Sequence, residues 1–95
     1  MGSVAGNRMT STATLVTGVG KIAAVTITPT ADDATVVIYD NTSAAGTIIF
    51  HGEADFSVTQ ETKHFPFIPA IRFETGCHVV ITGTTPEVFV YIDQS

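Results

Sequence analysis

The chain predicts an all-β fold, an antiparallel β-sandwich, on three observations. Short runs rich in Val, Ile, Thr and aromatic residues recur along its 95 residues. Breaks rich in Gly, Pro, Asn and Asp separate them about every 8–12 residues, the spacing of sandwiches and barrels. Nowhere do apolar residues return at the 3.6-residue period of a helix. Three runs, Val36–Tyr39, Ile48–Phe50 and Val88–Ile92, are apolar at consecutive positions, so both faces of each strand want cover. Eight or nine short strands in a jelly-roll-like sandwich fit this pattern. An immunoglobulin-like sandwich is the alternative, although the Cys…Trp…Cys spacing of true immunoglobulin domains is absent because the chain has no Trp.

Residues 1–11 are small and polar, with only Val4 and Met9 to bury, and read as a flexible N-terminal arm ahead of a single sandwich domain, 12–95. Thr12–Thr17 is a short β-favouring run stopped by Gly18-Val19-Gly20. Lys21–Thr28 alternates, with Val25 and Ile27 on one face and Thr26 and Thr28 on the other, as a strand with one wet side does. Pro29 ends it, since proline cannot donate to a ladder. Ala34–Asp40 is the most apolar strand, with Ala34, Val36 and Ile38 on one face and Thr35, Val37 and Tyr39 on the other. The polar turn Asp40–Gly46 leads into Thr47–His51, which makes the pair a hairpin. A strand is expected over Glu53–Thr59 and a turn over Gln60–Thr62. Pro66 and Pro69 restrict Lys63–Pro69 to a sheet edge or a crossing, with Phe65 and Phe67 plugging one side of the core. Ala70–Glu74, Cys77–Thr82 and Glu87–Asp93 complete the strands.

Composition points to association. Hydrophobic residues make up 44% of the chain, and 14% are charged, against about 25% in an average protein. A domain of this size buries only about 60–70% of its unfolded surface, so part of this apolar material is expected to meet another molecule. Net charge is −5, and the four cations, Arg8, Lys21, Lys63 and Arg72, are scattered. Nucleic acid and anionic membrane, which demand clustered Lys and Arg, are therefore poor partners. No run approaches the ~20 apolar residues of a membrane-spanning helix. Met1–Arg8 lacks the apolar centre of a secretory signal. The one cysteine cannot form an internal disulfide.

No constellation of reactive side chains has the spacing that chemistry requires. His51, His64 and His78, with Glu53 or Asp55, lie too far apart in sequence for a tight zinc ligand set. Cys77 and His78 are strand neighbours that point to opposite faces, so Cys77 reads as a small buried hydrophobe and not as a nucleophile. Asp32-Asp33 lacks the ligand spacing of a calcium loop. Gly18-Val19-Gly20-Lys21 lacks the full phosphate-loop pattern. The expectation is a protein with no catalytic residues, no metal and no cofactor.

The order Thr17–Ile22, Val25–Pro29, Ala34–Asp40, Thr42–Gly46, then an aromatic-and-proline segment, then Phe73–Val79 and Thr82-Gly83 resembles small virion proteins of tailed bacteriophages. Capsid decoration (cement) proteins and head-fibre or tail modules are of this kind, and the likeness runs from roughly Thr17 to Ile92. It implies a structural, non-enzymatic β-sandwich made in the host cytoplasm. Such a protein assembles as a homotrimer on the virion's capsid surface, against the major capsid protein, and stabilises the head. The alternative is a carbohydrate- or receptor-binding module of a fibre or tail. With the two-faced strands as guide, the candidate interface residues are Val37, Tyr39, Ile49, Phe89 and Tyr91, together with Arg8, the arm's one charge.

Overall fold

The computed structural model describes residues 4–30, 32–54, 62–83 and 86–93. It contains eight strands: β1 (Val4–Met9), β2 (Ala13–Thr17), β3 (Gly20–Thr28), β4 (Ala34–Tyr39), β5 (Ile48–Ala54), β6 (Lys63–Phe73), β7 (Gly76–Thr82) and β8 (Glu87–Asp93). They form two antiparallel sheets, sheet A in the order β1-β8-β3-β6 and sheet B in the order β2-β7-β4-β5. The pairings β1 with β8, β2 with β7, β3 with β6 and β4 with β5 nest inside one another. A long hairpin rolled into two sheets has this connectivity, which is the jelly roll and not the immunoglobulin arrangement.

The strict period of two explains which residues meet between the sheets. On β8, Val88, Val90 and Ile92 are buried while Glu87, Phe89, Tyr91 and Asp93 face outward. On β4, Ala34, Val36 and Ile38 are fully buried, and Thr35, Val37 and Tyr39 form the outer row. Ile22, Val25, Ile27, Phe73, Cys77 and Val79 complete the centre. Each large aliphatic side chain removed from water contributes roughly 1.5–3 kcal/mol. Phe73, the largest of them, lies over Gly20, where a Cβ would stand 2.5 Å from its Cζ. The edge-to-face rings of Phe50, Phe65 and Phe67, with both centroid distances from Phe50 at 5.3 Å, close the side of the sandwich between β5 and β6.

Three expectations change. Residues 4–9 are not a loose arm: β1 pairs residue by residue with β8, and Met9 sits in the core. Composition misses this because main-chain pairing to β8 and one buried side chain offset an ordering cost that the small side chains alone cannot. Second, Lys63–Phe73 is one edge strand interrupted by a bulge and not a crossing followed by a short strand. Pro66 faces Ala24 and Ile71 faces Ile22, so Phe67–Ala70 loop out opposite Ala23. Ile68 at the tip is 95% exposed. Third, the second strand of the hairpin reaches Ala54; the rest of the strand expected over Glu53–Thr59, and the turn up to residue 61, lie outside the described residues.

Candidate functional site

The residues expected to form one interface stand on opposite sides of the sandwich. Phe89, Tyr91 and Arg8 belong to the outer face of sheet A, and Val37 and Tyr39 to the outer face of sheet B. Ile49 joins neither, because it is the extra residue of a bulge in β5 and packs against the core.

The outer face of sheet A carries an aromatic row. Phe89 stands between Arg8 on β1 and Thr26 on β3, and Tyr91 between Gly6 and Ala24. The Phe89 and Tyr91 rings are near-parallel, 6.4 Å apart at 23°, and His64 on β6 meets Tyr91 edge-on at 6.3 Å. Small neighbours on both sides leave room for the tyrosine, and Ala24 retains only 9% exposure opposite it. Polar groups border the row in pairs. Arg8 Nε donates to Glu87 Oε1 at 3.0 Å, Thr26 Oγ1 and His64 Nδ1 share a hydrogen bond of 2.7 Å, and Thr28 and Thr62 join through their hydroxyls. Beyond Tyr91, Lys21 stands in register between Asp93 and Arg72. Three of the chain's four cations thus lie on this face, a grouping that scattered sequence positions conceal.

The outer face of sheet B is different in kind. Val37 and Tyr39 are flanked by Val80 and His78 on β7 and by His51 and Ile48 on β5. His51 Nε2 lies 3.8 Å from Glu53 Oε1 in an exposed pair. Thr14 Oγ1 donates to the Thr42 carbonyl and is 2.7 Å from His78 Nδ1. The three histidines therefore divide between the faces, His64 on one and His51 and His78 on the other, and Asp55 lies outside the described residues. Among the described residues there is neither a cavity nor a group of three or more His, Cys, Asp and Glu placed to hold a metal.

Cys77 is fully buried, and burial together with the charge of Asp40 pushes its thiol up to about 12. Such a thiol is not a nucleophile at neutral pH. Asp40, read from sequence as the first residue of a polar turn, organises one end of the molecule. Its Oδ1 accepts the amides of Thr75 at 2.8 Å, Glu74 at 2.9 Å and Gly76 at 3.4 Å. The Thr75 amide, then those of Glu74 and Gly76, hold its carboxyl below the ordinary aspartate value against an opposing desolvation. Gly18 N donates to the Thr75 carbonyl, so three turns converge here. Gly76 is required, since a Cβ would fall 2.7 Å from the Asn41 carbonyl and 3.0 Å from that of Val16. Asp before a run of small polar residues was the available signal, but its partners are more than thirty positions away. Comparison with known protein families, curated protein sequences and solved structures finds no match, so the reading of function rests on this geometry and on the residues that carry the resemblance.

Proposed function

We propose that the chain is a structural subunit of a phage particle, of the capsid decoration or cement type, which docks on the shell through the outer face of sheet A. The observation that carries this reading is the row Phe89–Tyr91–His64 with Arg8 beside it. Aromatic residues and arginine are the types enriched at the centres of protein interfaces, and here they lie on one four-stranded face. The hydroxyl pair Thr28–Thr62 borders it. The viral setting, the major capsid protein as partner and the homotrimer come from the resemblance of Thr17–Ile92 to small virion proteins. A three-fold ring joins unlike surfaces of neighbouring copies, and the two outer faces of this sandwich are unlike.

The test has two stages. Antibody labelling of particles from the producing host, viewed by electron microscopy, is expected to decorate the head surface. Shells stripped of the protein are then incubated with wild type and with Phe89→Ala/Tyr91→Ala. Attachment of the variant is expected to fall about tenfold or more, equivalent to about 1.4 kcal/mol, with an unchanged circular dichroism spectrum. Absence of the chain from particles, or equal attachment of the variant, refutes the proposal.

A second reading, a carbohydrate- or receptor-binding module of a fibre or tail, is favoured by the near-parallel Phe89 and Tyr91 rings beside the Thr26 hydroxyl and His64 imidazole. A sugar ring stacks on such a surface. Glycan-array binding that Tyr91→Ala abolishes, with shell attachment absent, selects it.

A further inference from the structure

Resting on the docking reading above, we infer that His64 makes attachment through the outer face of sheet A pH-dependent: the face docks while the imidazole is neutral and releases once acid puts a proton on it. His64 lies on β6, and the register places it at one end of a cross-strand row, Arg8–Phe89–Thr26–His64. The residue is exposed. Its ring meets Tyr91 edge-on at a centroid distance of 6.3 Å, and its Nδ1 shares a 2.7 Å hydrogen bond with Thr26 Oγ1. A partner surface that covers Tyr91 therefore also covers the histidine standing against it.

The groups around the ring decide which protonation state tolerates that cover. From β3 it faces the Thr26 hydroxyl and from β8 the Tyr91 phenol, side chains that carry no charge at neutral pH. The carboxylates of this face stand elsewhere. Glu87 lies in the next row, opposite Thr28, and is held by Arg8, whose Nε is 3.0 Å from its Oε1. Asp93 stands beyond the Tyr91–Ala24–Pro66 row, beside Lys21, with Arg72 on the far side of that lysine. Lys63, adjacent in sequence, belongs to the opposite row, across from Ile27. Among the described residues no carboxylate forms an ion pair with His64.

A neutral imidazole enters such a contact with one nitrogen satisfied by Thr26 and the other open to the partner. An imidazolium is taken out of water with no opposing charge from this chain, and burying an unpaired ion is costly. Carboxylates ordinarily titrate below about pH 5, and Tyr, Lys and Arg above about pH 9, so histidine is the side-chain type here whose charge changes in between. His64 is the one histidine of this face, since His51 and His78 belong to the outer face of sheet B. For an ordinary imidazole, with a pKa of about 6.5, a contact that admits only the neutral form weakens about tenfold between pH 7.5 and pH 5.5.

The test titrates stripped shells with wild type, His64→Gln and His64→Phe at pH 7.5 and pH 5.5 and equal ionic strength, reading the bound fraction by sedimentation. Melting temperatures at both pH values check that each protein is folded. Neither replacement titrates, so a pH effect that the variants share belongs to the shell or to another group. Wild type is expected to lose about tenfold in affinity at the lower pH, while the variants attach at pH 7.5 and keep nearly the same affinity at pH 5.5. A wild-type affinity that is unchanged or higher at pH 5.5, or a loss that the variants share in full, overturns the inference and leaves docking standing. Failure of both variants to attach at pH 7.5 overturns it too, because the contact then needs the ring itself and not its charge state. Wild type that attaches at neither pH overturns the docking reading, and this inference with it.

Discussion

Met9→Ala is the most direct probe of whether residues 4–9 belong to the fold. Met9 is 6% exposed, on the inner face of β1 opposite Val88, and is part of the central apolar cluster. Truncating a buried Leu, Ile or Met to Ala costs about 2–5 kcal/mol, the spread reflecting how well neighbours close the gap. An edge strand relaxes more easily than a central one, so the lower end, about 2–3 kcal/mol, applies here. A domain of this length is stable by about 5–14 kcal/mol. The variant therefore folds but melts on the order of 10 °C or more lower, from about 4–8 °C per kcal/mol for small domains. Arg8→Ala is the control. Its ion pair with Glu87 is 57% and 41% exposed, and pairs of that kind contribute about 0–1 kcal/mol. Urea titrations of wild type and both variants measure the differences, with equal slopes required for the comparison. A Met9→Ala variant within about 0.5 kcal/mol of wild type, the range of ordinary surface changes, refutes the docking of β1.

Three further outcomes are expected. Val36→Asp should abolish folding, since it buries an unpaired carboxylate between the sheets, whereas Val37→Asp, on the half-exposed outer row, should fold with a smaller loss of stability; circular dichroism and melting temperature compare them. Asp40 makes stability pH-dependent with a definite sign. Its folded carboxyl lies below the ordinary value of 3.8, so its contribution is complete above that value and is lost as pH falls through the lower folded one. Melting curves from about pH 5 to 2 should show this loss, and Asp40→Asn should flatten that part of it. Cys77, buried with its thiol near 12, should resist thiol reagents at pH 8 in the native protein and react once denaturant is added; immediate labelling of native protein contradicts its placement.

Local pattern made most strands legible. Ala34–Tyr39 declares its inner face because the side-chain period is two and one row is purely apolar; Lys21–Thr28 does so only from Val25 onward, since a bulge between Ile22 and Ala24 turns Ile22 inward as well. The prolines narrowed Lys63–Pro69 to a sheet edge or a crossing, because a missing N–H is a local fact, and of the two the structure has the edge. What stayed hidden depends on distant partners. β1 is a strand because β8 offers it a main-chain ladder, and nothing in Val-Ala-Gly-Asn-Arg-Met says so. The choice of jelly roll likewise rests on pairings between the two ends of the chain. At the candidate site, the sequence showed Val88–Ile92 apolar on both faces, and the strand period of two puts Phe89 and Tyr91 together on the outer one. That Arg8, Thr26 and His64 come from three other strands to join them followed only from the register.

The nested pairing also prescribes an order of assembly. Tyr39 meets Ile48 across one short turn, Ile27 meets Lys63 around that hairpin, Thr17 meets Gly76 around both, and Met9 meets Val88 around everything else. Each inner pair, once made, shortens the free chain that the next must close, so entropy favours zipping from the β4–β5 turn outward. A topology so rich in long-range pairs folds in milliseconds to seconds and not in microseconds. β1 arrives last and is held, among the described residues, by one neighbour, β8, so it can fray without undoing any pair inside it. The strand that finishes the sandwich is thus the one whose loss leaves every other strand pair standing.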